Sequence, residues 1–195
     1  MRVIAGAFRG RRLEAPPGQA TRPLTDRVKE TLFNILGARF ALPGQLPGFA
    51  VLDVFAGVGS FGIEALSRGA AACTFIEHDR QVLRYLRQNL RALRLDSRTA
   101  ILSDNVWTAR PPLPAGGFGV IFVDPPYRDA TDPVRLLDLV ERFAPALSPE
   151  GLLLLRQPTH CDAPPVEQLR LLRLDDEREY RHMHLLFYAR SHTEP

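Results

Sequence analysis

From residue 50 the chain reads AVLDVFAGVGSFGIEALS: an apolar run holding one acid, then Gly57, Gly59 and Gly62 in G-x-G-x-x-G spacing, then an apolar-periodic stretch. This order of residues asks a strand to turn tightly into a helix, with glycines where the backbone must take unusual angles or approach a ligand closely. The spacing is that of dinucleotide-binding turns, in which a pyrophosphate sits at the helix N-terminus. It fits equally well a turn that holds S-adenosylmethionine, which has no pyrophosphate. Either way the unit belongs to an open α/β sheet.

The rest of the chain repeats the theme. Strand 50–54 precedes helix 60–68, and strand 72–77 precedes helix 80–94. A strand near 99–102 follows, then the apolar strand 118–123, a helix over 133–144 and a strand at 151–156. Strands separated by helices imply parallel β-α units with helices on both faces. The tail segments VEQLRLLRL and MHLLFYAR have no helix between them and predict a terminal antiparallel pair. Ahead of the sheet, RVIAGAFRGRRLEA predicts two short strands around Arg9-Gly10, a basic hairpin arm, with a Pro/Gly-bearing linker after it. Thr25 is placed as the N-cap of a helix whose stripe, Val28, Leu32, Ile35 and Leu36, ends at Gly37. The expected organisation is an arm and linker over 1–23 and a single α/β domain over 24–195, within the size of one core.

Open parallel sheets bind ligands beyond the C-terminal ends of their strands, so chemistry is expected just after residues 54, 77, 102 and 123. Asp53 stands where a dinucleotide fold keeps apolar residues, and a carboxylate there needs donors. The ammonium of a bound methionine moiety is one such donor, and a nearby backbone amide is another. Glu77 ends the second strand 20 positions after Gly57, where an acid accepts hydrogen bonds from ribose hydroxyls in either cofactor class. Asp104, after the third strand, can take a bond from an adenine amino group or cap a short helix.

After FGVIFV comes Asp124-Pro125-Pro126-Tyr127. Two prolines make a turn, but a turn needs neither the acid nor the aromatic. The chemistry of the four fits methyl transfer to an exocyclic amine. The amine is a poor nucleophile because its lone pair is delocalised into the ring. The Asp124 carboxylate and the Pro125 carbonyl can hold both N–H groups and aim the lone pair, proline stiffness fixes the geometry, and Tyr127 can stack on the base. Alignment then contributes much of the catalysis. A nicotinamide enzyme has no use for this loop, which selects S-adenosylmethionine.

With these residues read, the chain resembles the bacterial 16S rRNA (guanine(966)-N(2))-methyltransferase family. The likeness runs from the N-terminus to about residue 157 and includes RVIAGAFRGRRL, TRPLTDRVKETLFNIL, LDVFAGVGSFGIEALSRGA, IEHD and VDPPY. The second of these is the most distinctive, since class I methyltransferases in general lack it. The resemblance implies a Rossmann-like class I fold with a mostly parallel seven-stranded sheet, and transfer from S-adenosylmethionine to a guanine N2 amine in the small ribosomal subunit. It further implies that Asp53, Phe55, Ala56, Gly57 and Gly59 face the methionine part, Glu77 the ribose and Asp104 the adenine. Asp124 to Tyr127 would hold the flipped guanine, and Pro23 and Thr25 would lie nearest as TRPLTDRVKETLF closes over cofactor and target. The tail departs from the family, because Tyr180 is followed by Arg-His-Met and not by Gly-x-Thr.

Residues 1–30 carry seven basic residues against three acidic ones, and Arg2, Arg9, Arg11, Arg12 and Arg22 are placed against RNA phosphates. Arg84, Arg87, Arg91 and Arg94 are read as a solvated face beside a leucine stripe. His182 and His184 lack further ligands, so no metal site is expected. Two separated cysteines, Cys73 in its strand core and Cys161, and an N-terminus without an apolar region lead to the expectation of a cytoplasmic, membrane-free monomer acting on 16S rRNA or the small subunit. Three other readings are open at this point. The same enzyme class can act on adenine N6, cytosine N4 or a protein glutamine. An NAD-linked oxidoreductase would leave residues 124–127 unexplained, and a non-catalytic RNA-binding module would use the arginines alone.

Overall fold

The apolar runs become strands and the amphipathic stretches helices. Among the residues that the computed structural model describes (1–17, 26–110, 113–180 and 182–191), α1 covers Asp26–Arg39, β1 Ala50–Val54 and α2 Ser60–Ser67. Then come β2 Ala72–Ile76, α3 Arg80–Ala92, β3 Thr99–Leu102 and β4 Phe118–Val123. The series ends with α4 Pro133–Phe143, β5 Leu147–Pro158, β6 Leu172–Tyr180 and β7 Met183–Arg190. The strands form one sheet of seven in the order β3-β2-β1-β4-β5-β7-β6. The pairs β1–β2, β2–β3 and β4–β5 are parallel, and β7 is antiparallel to both β5 and β6. This is the Rossmann-like class I methyltransferase arrangement. The chain divides into two compact units, Met1–Val106 and Trp107–Pro195.

In the first unit β1 is buried along Val51, Leu52, Asp53 and Val54, as a strand covered on both faces must be. α3 turns Val82, Leu83, Leu86 and Leu90 inward and leaves Arg84, Arg87 and Arg91 exposed, as the leucine and arginine stripes predict. Its N-terminus is closed by Asp79, whose Oδ1 accepts from the Gln81 and Val82 amides at 2.8 and 3.0 Å. Such a cap contributes about 1 kcal/mol. α1 runs two residues past Gly37, which is no terminator: a Cβ there would lie 2.6 Å from the Leu42 carbonyl oxygen. Cys73 is a core thiol, held well above its ordinary pKa by burial.

The arm differs from the expected pair of strands. Its closure is a single antiparallel bridge, Arg2 to Arg12, with a 3-10 turn at Gly6–Phe8 between. Around that bridge Val3 N, Gly10 N and Leu13 N bond to the Arg11, Val3 and Met1 carbonyls, whereas the amides of Ile4, Ala5, Phe8 and Glu14 are taken by side chains from elsewhere. Glu64 of α2 accepts from Ile4 N at 2.8 Å and Ala5 N at 3.0 Å, and Ser67 from Phe8 N at 2.9 Å. Asn89 of α3 accepts from Glu14 N at 2.8 Å and donates back to the Glu14 carbonyl at 3.0 Å. Beneath the arm lies a buried charge cluster. Lys29 and Glu64, both fully buried, stand 3.6 Å apart, and Arg68 donates to Glu64 at 2.8 Å. Lys29 also donates to the Arg2 carbonyl at 2.7 Å. Burial lowers the Lys29 pKa, with Glu64 opposing that shift.

In the second unit all six residues of β4 are buried, and β5 runs well beyond the predicted 151–156. The tail pair is present, but its first strand is LRLDDEREY; the VEQ that was expected to open it forms a 3-10 turn. Burial of β7 at Leu185–Tyr188 supplies the apolar side of this pair, so β6 can be charged.

Candidate active site

The glycine turn is built from three different requirements. Phe55, Gly57 and Gly59 have φ of 59°, 57° and 86°, so the backbone passes through the left-handed region three times in five residues. At Gly57 an added Cβ would meet nothing within 4 Å, whereas at Gly59 it would sit 2.6 Å from Leu86 Cδ1. Gly57 therefore borders open space, and Gly59 borders core. Gly62 admits the close approach of α2 to Phe75 and Cys73 on β2.

Two of the predicted acids fasten this turn. Asp53, 2% exposed, accepts from the Gly62 amide at 2.9 Å, so it bonds to the first turn of the helix that follows. Glu77 lies just beyond β2. One of its oxygens accepts from Gly57 N at 3.0 Å, and the other from the His78 and Asp79 amides, both at 2.8 Å. Asn89, already bonded to Glu14, also donates to the Val58 carbonyl at 3.1 Å. The arm and the glycine turn thus share one buried amide side chain, which sequence reasoning missed. Ala56 is buried, Phe55 half-buried, and Asp104 exposed beyond β3.

Of the predicted RNA-facing arginines, Arg2 pairs with Asp26 at 2.7 Å and Arg11 donates to the Ala92 carbonyl at 3.1 Å. Arg9 and Arg12 are exposed. Arg22, Pro23 and Thr25 lie outside the described residues.

In the second unit Asp124 directly follows β4, Pro125 is buried, and Tyr127 begins a short 3-10 turn with 55% of its surface exposed. Two partners were not anticipated. Arg156 grips Asp124 with a fork, Nε to Oδ1 at 2.6 Å and Nη2 to Oδ2 at 2.7 Å. Burial raises the Asp124 pKa, and the Arg156 charge and hydrogen bonds work against that rise. His160 contacts the Tyr127 hydroxyl through Nε2, with the ring centroids 5.0 Å apart. The one sequence signal for Arg156 is a cation ending the apolar run LLLL. Its partner becomes visible only from the register, which pairs Val123 with Leu155 and so sets Asp124 beside Arg156.

The conserved hypothetical protein 95 family matches residues 1–189 of the chain. Ribosomal RNA small subunit methyltransferase D of Escherichia coli (strain K12) is 43% identical over 129 residues, which cover 66% of this chain and 61% of that protein. The chain belongs to the 16S rRNA (guanine(966)-N(2))-methyltransferase family. The rRNA methyltransferase candidate YlbH of Bacillus subtilis (strain 168) is 36% identical over 169 residues, covering 84% of this chain and 86% of its own. Among solved structures, the methyltransferase candidate yhhF from Escherichia coli superposes with a TM-score of 0.77 at 31% identity, covering 98% of each chain. Family membership extends over both compact units and includes the arm.

Proposed function

We propose that this chain transfers a methyl group from S-adenosylmethionine to the exocyclic N2 amine of a guanine in 16S rRNA of the small ribosomal subunit. The observation that carries the reading is Asp124-Pro125-Pro126-Tyr127 at the end of β4, with a largely buried carboxylate and an exposed ring, in a chain of this family. The names of the relatives supply the rRNA substrate class.

The residues of the glycine turn fit the cofactor. Open space beside Gly57 leaves room for a ligand against bare backbone. A carboxylate has about four lone-pair sites. The three amide bonds to Glu77 and the bond from Gly62 to Asp53 are therefore compatible with further bonds, to a ribose and to an ammonium. Phe55, Ala56 and Gly59 shape the same turn, and Asp104 is assigned to the adenine amino group. S-adenosylmethionine, when bound, supplies a methyl activated by a positively charged sulfur.

The chain's own residues do the rest. Asp124 and the Pro125 carbonyl accept the two N–H bonds of the target amine, which turns its lone pair out of the ring and towards the methyl. Tyr127 offers a ring face to the extruded base. The N–C bond forms as the S–C bond breaks, and the amine proton leaves for Asp124 or for solvent. The arm, with Arg9 and Arg12, meets RNA phosphates, and the reaction takes place where small subunits assemble, in the cytoplasm.

The test is to incubate the protein with labelled S-adenosylmethionine and either naked 16S rRNA or small subunits lacking the modification. The methylated nucleoside is then identified by mass spectrometry. N2-methylguanosine is expected. Label in N6-methyladenosine, in cytosine or in protein would overturn the guanine assignment. Asp124→Ala should lower turnover at least 100-fold while leaving cofactor affinity within about threefold.

A further inference from the structure

We infer that Arg156 is a positioning residue of the transfer step: its guanidinium fork fixes the orientation of the Asp124 carboxylate from which the target amine is held. The inference rests on the role proposed above for Asp124.

The geometry argues against an incidental ion pair. Both bonds are short, at 2.6 and 2.7 Å, and they run in parallel from Nε and Nη2 to the two carboxylate oxygens. A fork of this kind fixes the carboxylate plane, which a single contact or a lysine ammonium does not do. The side chains are 15% and 21% exposed, so little freedom is left to either partner. The guanidinium is itself held from a second strand, because Nη1 lies 3.2 Å from the Met183 sulfur at the start of β7. The two bonds use about two of the carboxylate's four lone-pair sites and leave the others for the amine.

A second consequence concerns charge. Burial pushes the Asp124 carboxyl above its ordinary pKa, and Arg156 is the charge that opposes it; from β7 the fork meets the uncharged Met183 sulfur. An uncharged carboxyl would offer a donor where the amine needs an acceptor. Arg156 therefore maintains both the direction and the acceptor state of the group that holds the substrate.

The experiment compares wild type, Arg156→Gln, Arg156→Lys, Asp124→Asn and the Asp124→Asn/Arg156→Gln pair on 16S rRNA. It follows total methyl label transferred, S-adenosylmethionine affinity, thermal melting and the pH dependence of kcat. Arg156→Gln should lower kcat 10- to 100-fold near pH 7, with cofactor affinity within about twofold, and should move the acid limb of the profile to higher pH. Arg156→Lys should keep the limb near its wild-type position but recover only part of kcat, since it restores charge without the fork. In the Asp124→Asn background, Arg156→Gln should cost no more than about twofold further. A lowered melting temperature with unchanged kcat and limb would show a purely structural pair and overturn the inference, as would full additivity in the double variant. If wild type transfers no label to any nucleoside, the proposed function and the inference fall together. If wild type is active and Arg156→Gln matches it, the inference falls alone.

Discussion

The Glu77 carboxylate accepts a hydrogen bond from the backbone amide of Gly57 at 3.0 Å, so the acid just past β2 is tied to the glycine turn that follows β1. An acid assigned to ribose binding therefore also sets the shape of the surface on which the methionine part would lie. Glu77→Gln keeps the volume but turns an amide NH₂ or a weaker acceptor towards three backbone N–H groups. S-adenosylmethionine affinity should fall about 10-fold or more, by the cost of about 1.5–3 kcal/mol for a hydrogen bond to a charged group. Calorimetric titration of the cofactor checks this. Affinity within twofold of wild type would remove Glu77 from the site.

Gly57 and Gly59 should separate binding from folding. Alanine at either position meets the left-handed backbone, at about 1–2 kcal/mol. At Gly59 the new methyl also meets Leu86, Ile63 and Phe75 in the core, which adds about 1–3 kcal/mol of overpacking. At Gly57 it projects into open space. Urea unfolding should rank Gly59→Ala as the less stable variant, whereas cofactor titration should show the greater loss per unit of stability for Gly57→Ala.

The buried cluster under the arm should dominate the stability of the first unit. Glu64 serves Ile4, Ala5, Lys29 and Arg68, so Glu64→Gln should cost about 3–5 kcal/mol in urea unfolding and open the arm to proteolysis. Lys29 gives the pH dependence. Its folded pKa is lowered from 10.5, so between that lowered value and 10.5 the unfolded chain holds the extra proton. Stability should therefore rise with pH across this window in wild type relative to Lys29→Met. A flat or falling difference between the two proteins would contradict the assignment.

RNA affinity should depend on Arg9 and Arg12, which are exposed, more than on Arg2 and Arg11, which are occupied by Asp26 and the Ala92 carbonyl. Arg9→Ala/Arg12→Ala should reduce the slope of log affinity against log salt by about 1–2 and leave cofactor binding unchanged. The same double change at Arg2 and Arg11 should alter the slope less.

What could be read in advance follows from locality. The parallel strands and α3 were legible because each shows its own apolar period, and β3 and β4 fall on the predicted residues. The positions of Glu77 and Asp124, just past β2 and β4, were legible because each closes an apolar run. The arm keeps only one antiparallel bridge of the two expected strands because its other partners, Glu64, Ser67 and Asn89, lie some sixty to eighty residues away and no local pattern announces them. β6 was misplaced because an outer strand next to an apolar neighbour need not be apolar itself. Arg156 and His160 stayed hidden for a related reason: the cation that orients Asp124 is selected by sheet register, and the imidazole at Tyr127 by a turn after β5.

Lys29 is the chain's one lysine, and it lies fully buried beneath the arm. Every other side chain with a permanent positive charge is a guanidinium, which keeps its proton up to about pH 12 and beyond. The outer surface thus offers acylating reagents and acetyl-transferring enzymes no lysine amine to neutralise. The positive charge of its arginines is thus beyond the reach of lysine modification.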